Sequence, residues 1–122
     1  METMKISKAH RQIIKILWVV AILVVIVGSL LPGSSIPIQA LGALPVSDKV
    51  IHFSAYLVLA ILPIVSVECR SKALAGALLM IVLGVALEGG QSFSPGRQVE
   101  LGDAVANTLG VLSGMLAGWR LR

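Results

Sequence analysis

Four apolar stretches of about the length needed to cross a membrane dominate the pattern of hydrophobic and polar positions in this chain. They cover about residues 13–31, 49–67, 73–91 and 103–119, and short segments rich in polar or turn-forming residues separate them. A helix that crosses a bilayer needs about 20 predominantly apolar residues. The pattern therefore predicts an all-α fold, a four-span transmembrane helical bundle in which residues 1–122 form one domain.

Prolines, glycines and capping residues mark the breaks between these stretches. Residues 32–47 contain three prolines and are predicted to form a loop, and the Ser-Pro-Gly sequence at 94–96 predicts a turn before the fourth helix. Ser47 or Asp48 is the predicted N-cap of the second helix, and Asp103 is that of the fourth.

The composition agrees with a membrane protein and disfavours a soluble one. Hydrophobic residues make up 57% of the chain and charged residues 13%, whereas a soluble domain averages about 25% charged residues. The net charge of +4 does not indicate a nucleic-acid partner, because the basic stretches lack interleaved aromatic residues and any known nucleic-acid-binding fold. The single cysteine, Cys69, excludes a disulfide within the chain.

The basic residues predict the orientation of the bundle. If the N-terminus is in the cytoplasm, eight Lys and Arg residues lie on the inner side and only two, Lys49 and Arg97, lie on the outer side. Such an excess is typical of the cytoplasmic side of membrane proteins. We therefore expect a multi-pass protein of the cytoplasmic (inner) membrane with both termini in the cytoplasm (N-in/C-in). A cleaved signal peptide is the competing interpretation of the first stretch, but the apolar region is longer than such peptides use.

Polar side chains within the apolar stretches fall at one level of the predicted membrane. They occur at the start of the second helix, the end of the third and the start of the fourth, which this topology places on the outer side. A charged side chain at the centre of a span costs roughly 2.5–3.5 kcal/mol, so a layer of polar residues on one side suggests a site. The residues of this layer are Asp48, His52, Tyr56, Glu88, Gln91, Asp103 and Asn107.

The layer and the loop after the third helix are predicted to form a ligand-binding pocket. Its predicted residues are His52, Tyr56, Glu88, Gln91, Arg97, Asp103 and Asn107. No catalytic residue is assigned, although Glu88 and His52 are the candidates for general acid–base work. Glu88 has a structural alternative, in which it pairs with Arg97 or His52 and holds three helices together. Gln91 and Asn107 are most simply hydrogen-bonding groups between helices.

No metal site and no cofactor are predicted. A metal site built from His52, Glu88 and Asp103 is conceivable, but the layer contains one histidine and no pair of residues at a metal-ligand spacing. Serine-based catalysis is not indicated either, because the serines near the layer lack a nucleophile motif.

Small residues repeat every four positions along the fourth helix. A ridge of this kind allows another helix to approach closely. The ridge is predicted to be a packing surface, either within the chain or between chains, and space for a ligand is the alternative. Its residues are Gly102, Ala106, Gly110, Gly114 and Gly118.

Three polar motifs in residues 48–114 together resemble those of the VanZ-like family of small membrane proteins. They are D-K-x-x-H-x-x-x-Y beginning at Asp48, E-x-x-Q-x-F-x-P-G-R beginning at Glu88, and D-x-x-x-N-x-x-G beginning at Asp103. The first helix matches the family only in being apolar, and Glu100 stands where a small polar residue is expected. The resemblance implies a role in the cell envelope, since the founding member is associated with resistance to the glycopeptide teicoplanin, whose target is the cell-wall precursor outside the membrane.

Three hypotheses about function agree with the layer and with this resemblance. The first is a binding module for an anionic envelope lipid or a lipid-linked cell-wall precursor, whose phosphate would meet Arg97 and His52. The second is a membrane enzyme of envelope metabolism with Glu88 or His52 as the general acid–base group. The third is a structural partner protein whose polar residues join its helices. Membrane lipids are thus the predicted partners, and a homo-oligomer or a membrane partner bound through the fourth helix is the alternative.

Overall fold

The protein is built from α-helices in the computed structural model, which describes residues 6–93, 95–96 and 100–122. The described residues form five helices and no strand, so the predicted all-α class is confirmed. The helices are α1 (Lys8–Leu30), α2 (Ile36–Gly42), α3 (Asp48–Ser66), α4 (Arg70–Gln91) and α5 (Leu101–Leu121). The four long helices correspond to the four predicted stretches and differ from them by a few residues at their ends.

Three of the described helices, α1, α3 and α4, are long and apolar enough to cross a membrane. Helix α5 has 21 residues, but its glycines and the polar residues Asp103 and Asn107 dilute its apolar content. The fold therefore indicates a multi-pass membrane protein, with three of the four predicted spans supported by both length and composition.

The segment between α1 and α3 contains a helix that the sequence did not predict. A loop is expected over residues 32–47, but Ile36–Gly42 form α2. Pro37 is compatible with this helix because it lies in the first turn, where a backbone N–H has no acceptor within the helix. The Ser35 hydroxyl donates to the carbonyl oxygen of Pro32 (2.7 Å) and orders the turn before α2. The loop prediction is wrong for these seven residues, since a proline in the first turn is compatible with a helix start.

The predicted helix caps have different outcomes. The hydroxyl of Ser47 accepts a hydrogen bond from the backbone N–H of Val50 (3.3 Å), so Ser47 rather than Asp48 is the cap of α3. Helix α5 begins at Leu101, so Asp103 lies in the first turn and not at the cap. The cap prediction for Asp103 is wrong, and its carboxylate contacts Lys49 and His52 of α3 instead.

Helix α3 lies at the centre of the bundle and contacts α1, α4 and α5. Its side chains Leu59, Ala60 and Ile64 are at most 1% exposed, and they belong to one core with Ala77 of α4 and Val111 of α5. In a membrane, close packing of this kind is a main source of helix association, because lipid is as apolar as the side chains. Helix α1 is peripheral, since none of its described residues is fully buried.

The small-residue ridge of α5 packs against α3 of the same chain. A Cβ atom added to Gly110 would overlap the carbonyl oxygen of Phe53, and one added to Gly114 would overlap that of Leu57. Only glycine allows the two backbones to lie this close. We call the contact of Gly110 and Gly114 with α3 the glycine seam.

The remaining ridge residues continue this contact toward both ends of α5. Gly118 faces the side chain of Ile64, and Gly102 faces the side chain of Lys49. Ala106 is buried between them. The structure therefore places the ridge inside the chain, as one of the two packing alternatives expected from the sequence.

Two arginines contact the C-terminal end of α3, and we call this the arginine end of the bundle. The guanidinium of Arg122 donates to the carbonyl oxygens of Ile64 (2.7 Å) and Val67 (2.6 Å). From α1, Arg11 donates to the carbonyl oxygen of Val65 at 3.3 Å. These bonds satisfy carbonyl groups that a helix end leaves without N–H donors in the helix, so the arginines hold α1 and α5 to the end of α3.

Candidate functional site

A cavity of about 620 Å³ lies beside the N-terminal half of α3, next to α1 and α2, and we call this the cavity end of the bundle. Most of its apolar lining residues come from α1, α2 and the segment after α2, and we call this set the apolar wall: Val24, Val25, Ile38, Leu41, Val46 and Ile51. Most of its polar lining residues come from α3, α4 and the start of α5, and we call this set the polar wall: Asp48, His52, Tyr56, Gln91, Glu100 and Asp103. A cavity with these two walls can accept a molecule that has one apolar and one polar part.

Two loops meet at the boundary of this cavity. The backbone N–H of Gly33, which follows α1, donates to the carbonyl oxygen of Pro95, which follows α4 (2.9 Å). A Cβ atom on Gly33 would overlap the carbonyl group of Gly96, whose φ of +73° is a conformation that glycine adopts readily. Both glycines line the cavity, so the contact between the loops defines part of its boundary.

Lys49 pairs with the carboxylates of the polar wall, although it is not among the described residues that line the cavity. Its Nζ lies 2.5 Å from Oδ1 of Asp103, 2.6 Å from Oε2 of Glu100 and 3.6 Å from Oδ2 of Asp48. Asp103 is the buried member of this group, with 6% of its side chain exposed, whereas the side chains of Asp48 and Glu100 are more than half exposed. Lys49 thus provides the counter-charge that a buried carboxylate requires.

His52 links α3 to α5 and faces two carboxylates. Its Nδ1 lies 2.9 Å from Oδ1 of Asn107, and the ring donates in this hydrogen bond because an amide oxygen can only accept. Its Nε2 lies 3.8 Å from Asp48 Oδ1 and 3.8 Å from Asp103 Oδ2, which is beyond hydrogen-bonding distance. In the neutral ring, Nε2 therefore presents a lone pair to the space between the two carboxylates.

Glu88 supports the start of α5. Its Oε1 accepts a hydrogen bond from the backbone N–H of Glu100 (3.0 Å), the residue that precedes α5. Glu88 is only 6% exposed and is not among the described residues that line the cavity. A carboxylate beside a helix N-terminus is stabilised by the N–H groups and by the helix dipole. The observed partner of Glu88 is thus the backbone of Glu100. Its predicted pairing with Arg97 lies outside the described residues, and its acid–base role stays a prediction.

The structure brings most of the predicted site residues together. Those that line the cavity are His52, Tyr56, Gln91 and Asp103. Glu88 and Asn107 are not among the described residues that line the cavity, but they form hydrogen bonds to Glu100 and His52, which do line it. Arg97 lies outside the described residues, so its place in the site stays a prediction.

Three charged residues of the cavity end are absent from the predicted binding set: Asp48, Lys49 and Glu100. The sequence suggests a cap role for Asp48 and a flanking role for Lys49, and both interpretations miss the contacts between helices. A signal for them exists in the sequence, because a lysine near several carboxylates at neighbouring helix ends is expected to pair with them in a membrane.

Asp48, His52 and Asp103 are also close enough to share a cation. Each offers one ligand atom, and these three atoms lie within 4.8 Å of one another. The set conceived from the sequence contained Glu88, and the structure has Asp48 in its place. Asp48 and His52 lie four positions apart on α3, so their spacing along the chain places them on one face of that helix, and Asp103 reaches them from α5.

No protein-family model, curated protein or solved structure matches this chain. The fold and the site define a helical, multi-pass membrane protein with a cavity that has one polar and one apolar wall. The resemblance to the VanZ-like family stays a prediction from the three motifs.

Proposed function

We propose that the protein is a VanZ-like membrane protein of the cell envelope whose cavity binds a lipid with an anionic, phosphate-containing head group. The observation that carries this proposal is the division of the cavity into a polar and an apolar wall. A lipid-linked cell-wall precursor has the same two parts and belongs to the same chemical class.

The apolar wall suits the hydrocarbon chain of such a lipid. Val24 and Val25 of α1 and Ile38 and Leu41 of α2 form much of it. Helix α1 is peripheral, so a chain can reach this wall from the surrounding bilayer. The cavity volume of about 620 Å³ falls within the range of about 300–1,000 Å³ that is usual for ligand sites.

The polar wall suits the head group when its charges are considered together. Helices α3 and α5 both begin there, and their N-terminal N–H groups favour an anion. Lys49 already pairs with Asp103 and Glu100, so a phosphate requires a further positive charge. We propose that Arg97, which the sequence places in the connection between α4 and α5, supplies part of that charge through a bidentate contact.

In the proposed topology α5 is the fourth span and both termini are in the cytoplasm. The sequence count of eight Lys and Arg residues on the side predicted to be cytoplasmic, against two on the other side, supports this orientation. The exposed thiol of Cys69, between α3 and α4, tests it. We expect a membrane-impermeant maleimide to label Cys69 in inverted vesicles and not in intact cells, whereas labelling from outside intact cells would reverse the topology.

Two glycine substitutions test lipid binding with matched partners. Gly28 lines the cavity, Gly89 does not, and an added Cβ atom at either position has no described atom within 4 Å. We expect native mass spectrometry to show a defined phospholipid or phosphate-containing lipid on wild type and on Gly89→Leu. Because leucine at position 28 occupies cavity space, Gly28→Leu should retain about tenfold less of that lipid.

The outcomes separate binding from a structural role. Equal lipid retention in Gly28→Leu, or the absence of any defined lipid on wild type, would contradict the proposal. In that case the polar wall joins the helices, and the structural hypothesis replaces lipid binding. A neutral lipid as the bound species would retain the cavity as a binding site and reject an anionic head group.

A further inference from the structure

We propose that Asp48, His52 and Asp103 form a binding site for a divalent metal ion of the zinc type. Nε2 of His52 lies 3.8 Å from Asp48 Oδ1 and 3.8 Å from Asp103 Oδ2. In a tetrahedral zinc site with bonds of about 2.1 Å, ligand atoms are about 3.4 Å apart. The distances from His52 to the two carboxylates therefore need to shorten by only about 0.4 Å around an ion.

The hydrogen bond between His52 and Asn107 is a separate observation that points to a cation. It places a proton on Nδ1, and Nε2 of the neutral ring then carries a lone pair. The oxygens nearest to Nε2, on Asp48 and Asp103, are acceptors as well. Three acceptors around one space are stable together only when a cation or a proton lies among them. Histidines that bind metals usually donate from their other nitrogen in this way.

The ammonium group of Lys49 orients the two carboxylates without occupying this space. It contacts Oδ1 of Asp103 at 2.5 Å and lies 3.6 Å from Oδ2 of Asp48. The oxygens that face His52 are the other two, Asp48 Oδ1 and Asp103 Oδ2. Lys49 and Asn107 thus hold the three ligands from outside, as residues around a metal site commonly do.

The donor set indicates the class of metal and the position of its remaining ligand. An imidazole nitrogen beside two carboxylates favours zinc and similar transition metals over magnesium and calcium, which prefer oxygen ligands alone. Three protein ligands leave a coordination position open for water or another ligand. Because Asp48, His52 and Asp103 all line the cavity, we expect that position to face the cavity.

One consequence rests on the proposed lipid-binding function. A phosphate oxygen of the head group would take the open position, and the ion would supply positive charge that the polar wall otherwise lacks. The metal site itself does not depend on a lipid, and the ion alone can test it.

The test is a titration of the purified full chain with Zn²⁺ after a chelator has removed bound metals. Calorimetry should show one Zn²⁺ per chain in wild type and at least about tenfold weaker binding in His52→Gln and Asp48→Asn. Asp48 is exposed, so its substitution should leave the fold intact. His10→Gln is the matched control, because His10 is an exposed histidine that contacts Ser7 at the opposite end of the bundle.

Two further measurements keep the result unambiguous. The absorption spectrum of bound Co²⁺ reports whether an imidazole nitrogen is a ligand, and thermal melting shows that each variant is folded. The proposal is wrong if wild type binds no Zn²⁺ saturably, or if folded His52→Gln binds it equally well. Nε2 would then hold a proton in place of an ion.

Lipid retention measured with and without Zn²⁺ separates this inference from the proposed function. Zn²⁺ binding that leaves lipid retention unchanged supports the metal site and rejects its link to a phosphate. Retention of a phosphate lipid without any Zn²⁺ binding supports the proposed function and rejects the metal site.

Discussion

The two ends of α3 use charged residues in opposite ways. At the arginine end, Arg122 and Arg11 donate to backbone carbonyl oxygens, and the neighbouring Pro63, Ile64 and Ser66 are almost completely buried. At the cavity end, charged side chains contact one another around a space of about 620 Å³. A charge in a membrane protein therefore indicates a ligand site only where its partners leave room for a ligand.

Chain position explains part of this difference. A helix C-terminus exposes carbonyl oxygens, which arginine satisfies directly. The N-termini of α3 and α5 instead bring Asp48 and Asp103 into their first turns, where carboxylates are favourable but require a cation when they come together. Lys49 supplies one such charge, and the space beside Nε2 of His52 stays available for a second.

The largest expected effect comes from the glycine seam, which connects the two ends. Gly114→Ala places a methyl group against the carbonyl oxygen of Leu57 and the side chain of Ala60. Because α5 must move away from α3, we expect a loss of about 2–3 kcal/mol in the free energy of unfolding. Reversible unfolding in detergent or bicelles measures it.

Gly89→Ala is the control for this experiment. An added Cβ atom at Gly89 meets no described atom within 4 Å, so alanine should stabilise α4 by up to about 1 kcal/mol through its higher helix propensity. A Gly114→Ala protein as stable as Gly89→Ala would show that α5 can move away from α3 without loss of stability. The close contact at the glycine seam would then not be needed to hold the two helices together.

The next effect concerns the cavity end alone. Lys49→Gln removes the ammonium partner of the buried Asp103 carboxylate, and we expect the melting temperature to fall by about 5 °C. Asp103→Asn in the same chain removes the uncompensated charge and should restore most of that loss. Lys72→Gln, at an exposed lysine of the other end, should change little. A double variant no better than Lys49→Gln would mean that the pair does not stabilise this end.

A smaller effect is expected at the arginine end. Arg122→Ala removes hydrogen bonds to carbonyl oxygens of α3, and the free energy of unfolding should fall by about 1 kcal/mol. Burial lowers the pKa of Arg122, and the charges of Arg11 and Arg70 lower it further. The neighbouring exposed Arg120 provides the control variant, Arg120→Ala. Equal stability of the two variants would contradict the assigned role of Arg122.

The smallest expected effect concerns the reactivity of the Cys69 thiol, which follows the C-terminal end of α3. The hydrogen bond between the Cys69 thiol and the Ser71 hydroxyl (3.3 Å) lowers the pKa of Cys69. A lower pKa leaves more thiolate at a given pH, so Ser71→Ala should raise the pKa and slow alkylation at pH 7.5 by about two- to threefold. Rates of iodoacetamide labelling between pH 6.5 and 9.5 measure this shift, and identical profiles would reject it.

The sequence predicted the helices better than their connections. Long apolar stretches with polar flanks locate α1, α3, α4 and α5, because a span needs a minimum apolar length. The same reasoning fails for α2, since the prolines of residues 32–47 predict a loop, although proline is accepted in the first turn of a helix.

The sequence by itself predicts the membrane class, the layer of polar residues and the small-residue ridge. It can do so because the cost of polar groups in lipid and the periodicity of a helix are local properties. Only the tertiary structure decided which groups meet. Lys49 contacts Asp103 and His52 contacts Asn107 across 54 and 55 positions of the chain, and Gly114 meets Leu57 at similar separation. Such pairs depend on how α5 lies against α3, and spacing along one helix carries no information about distances between two.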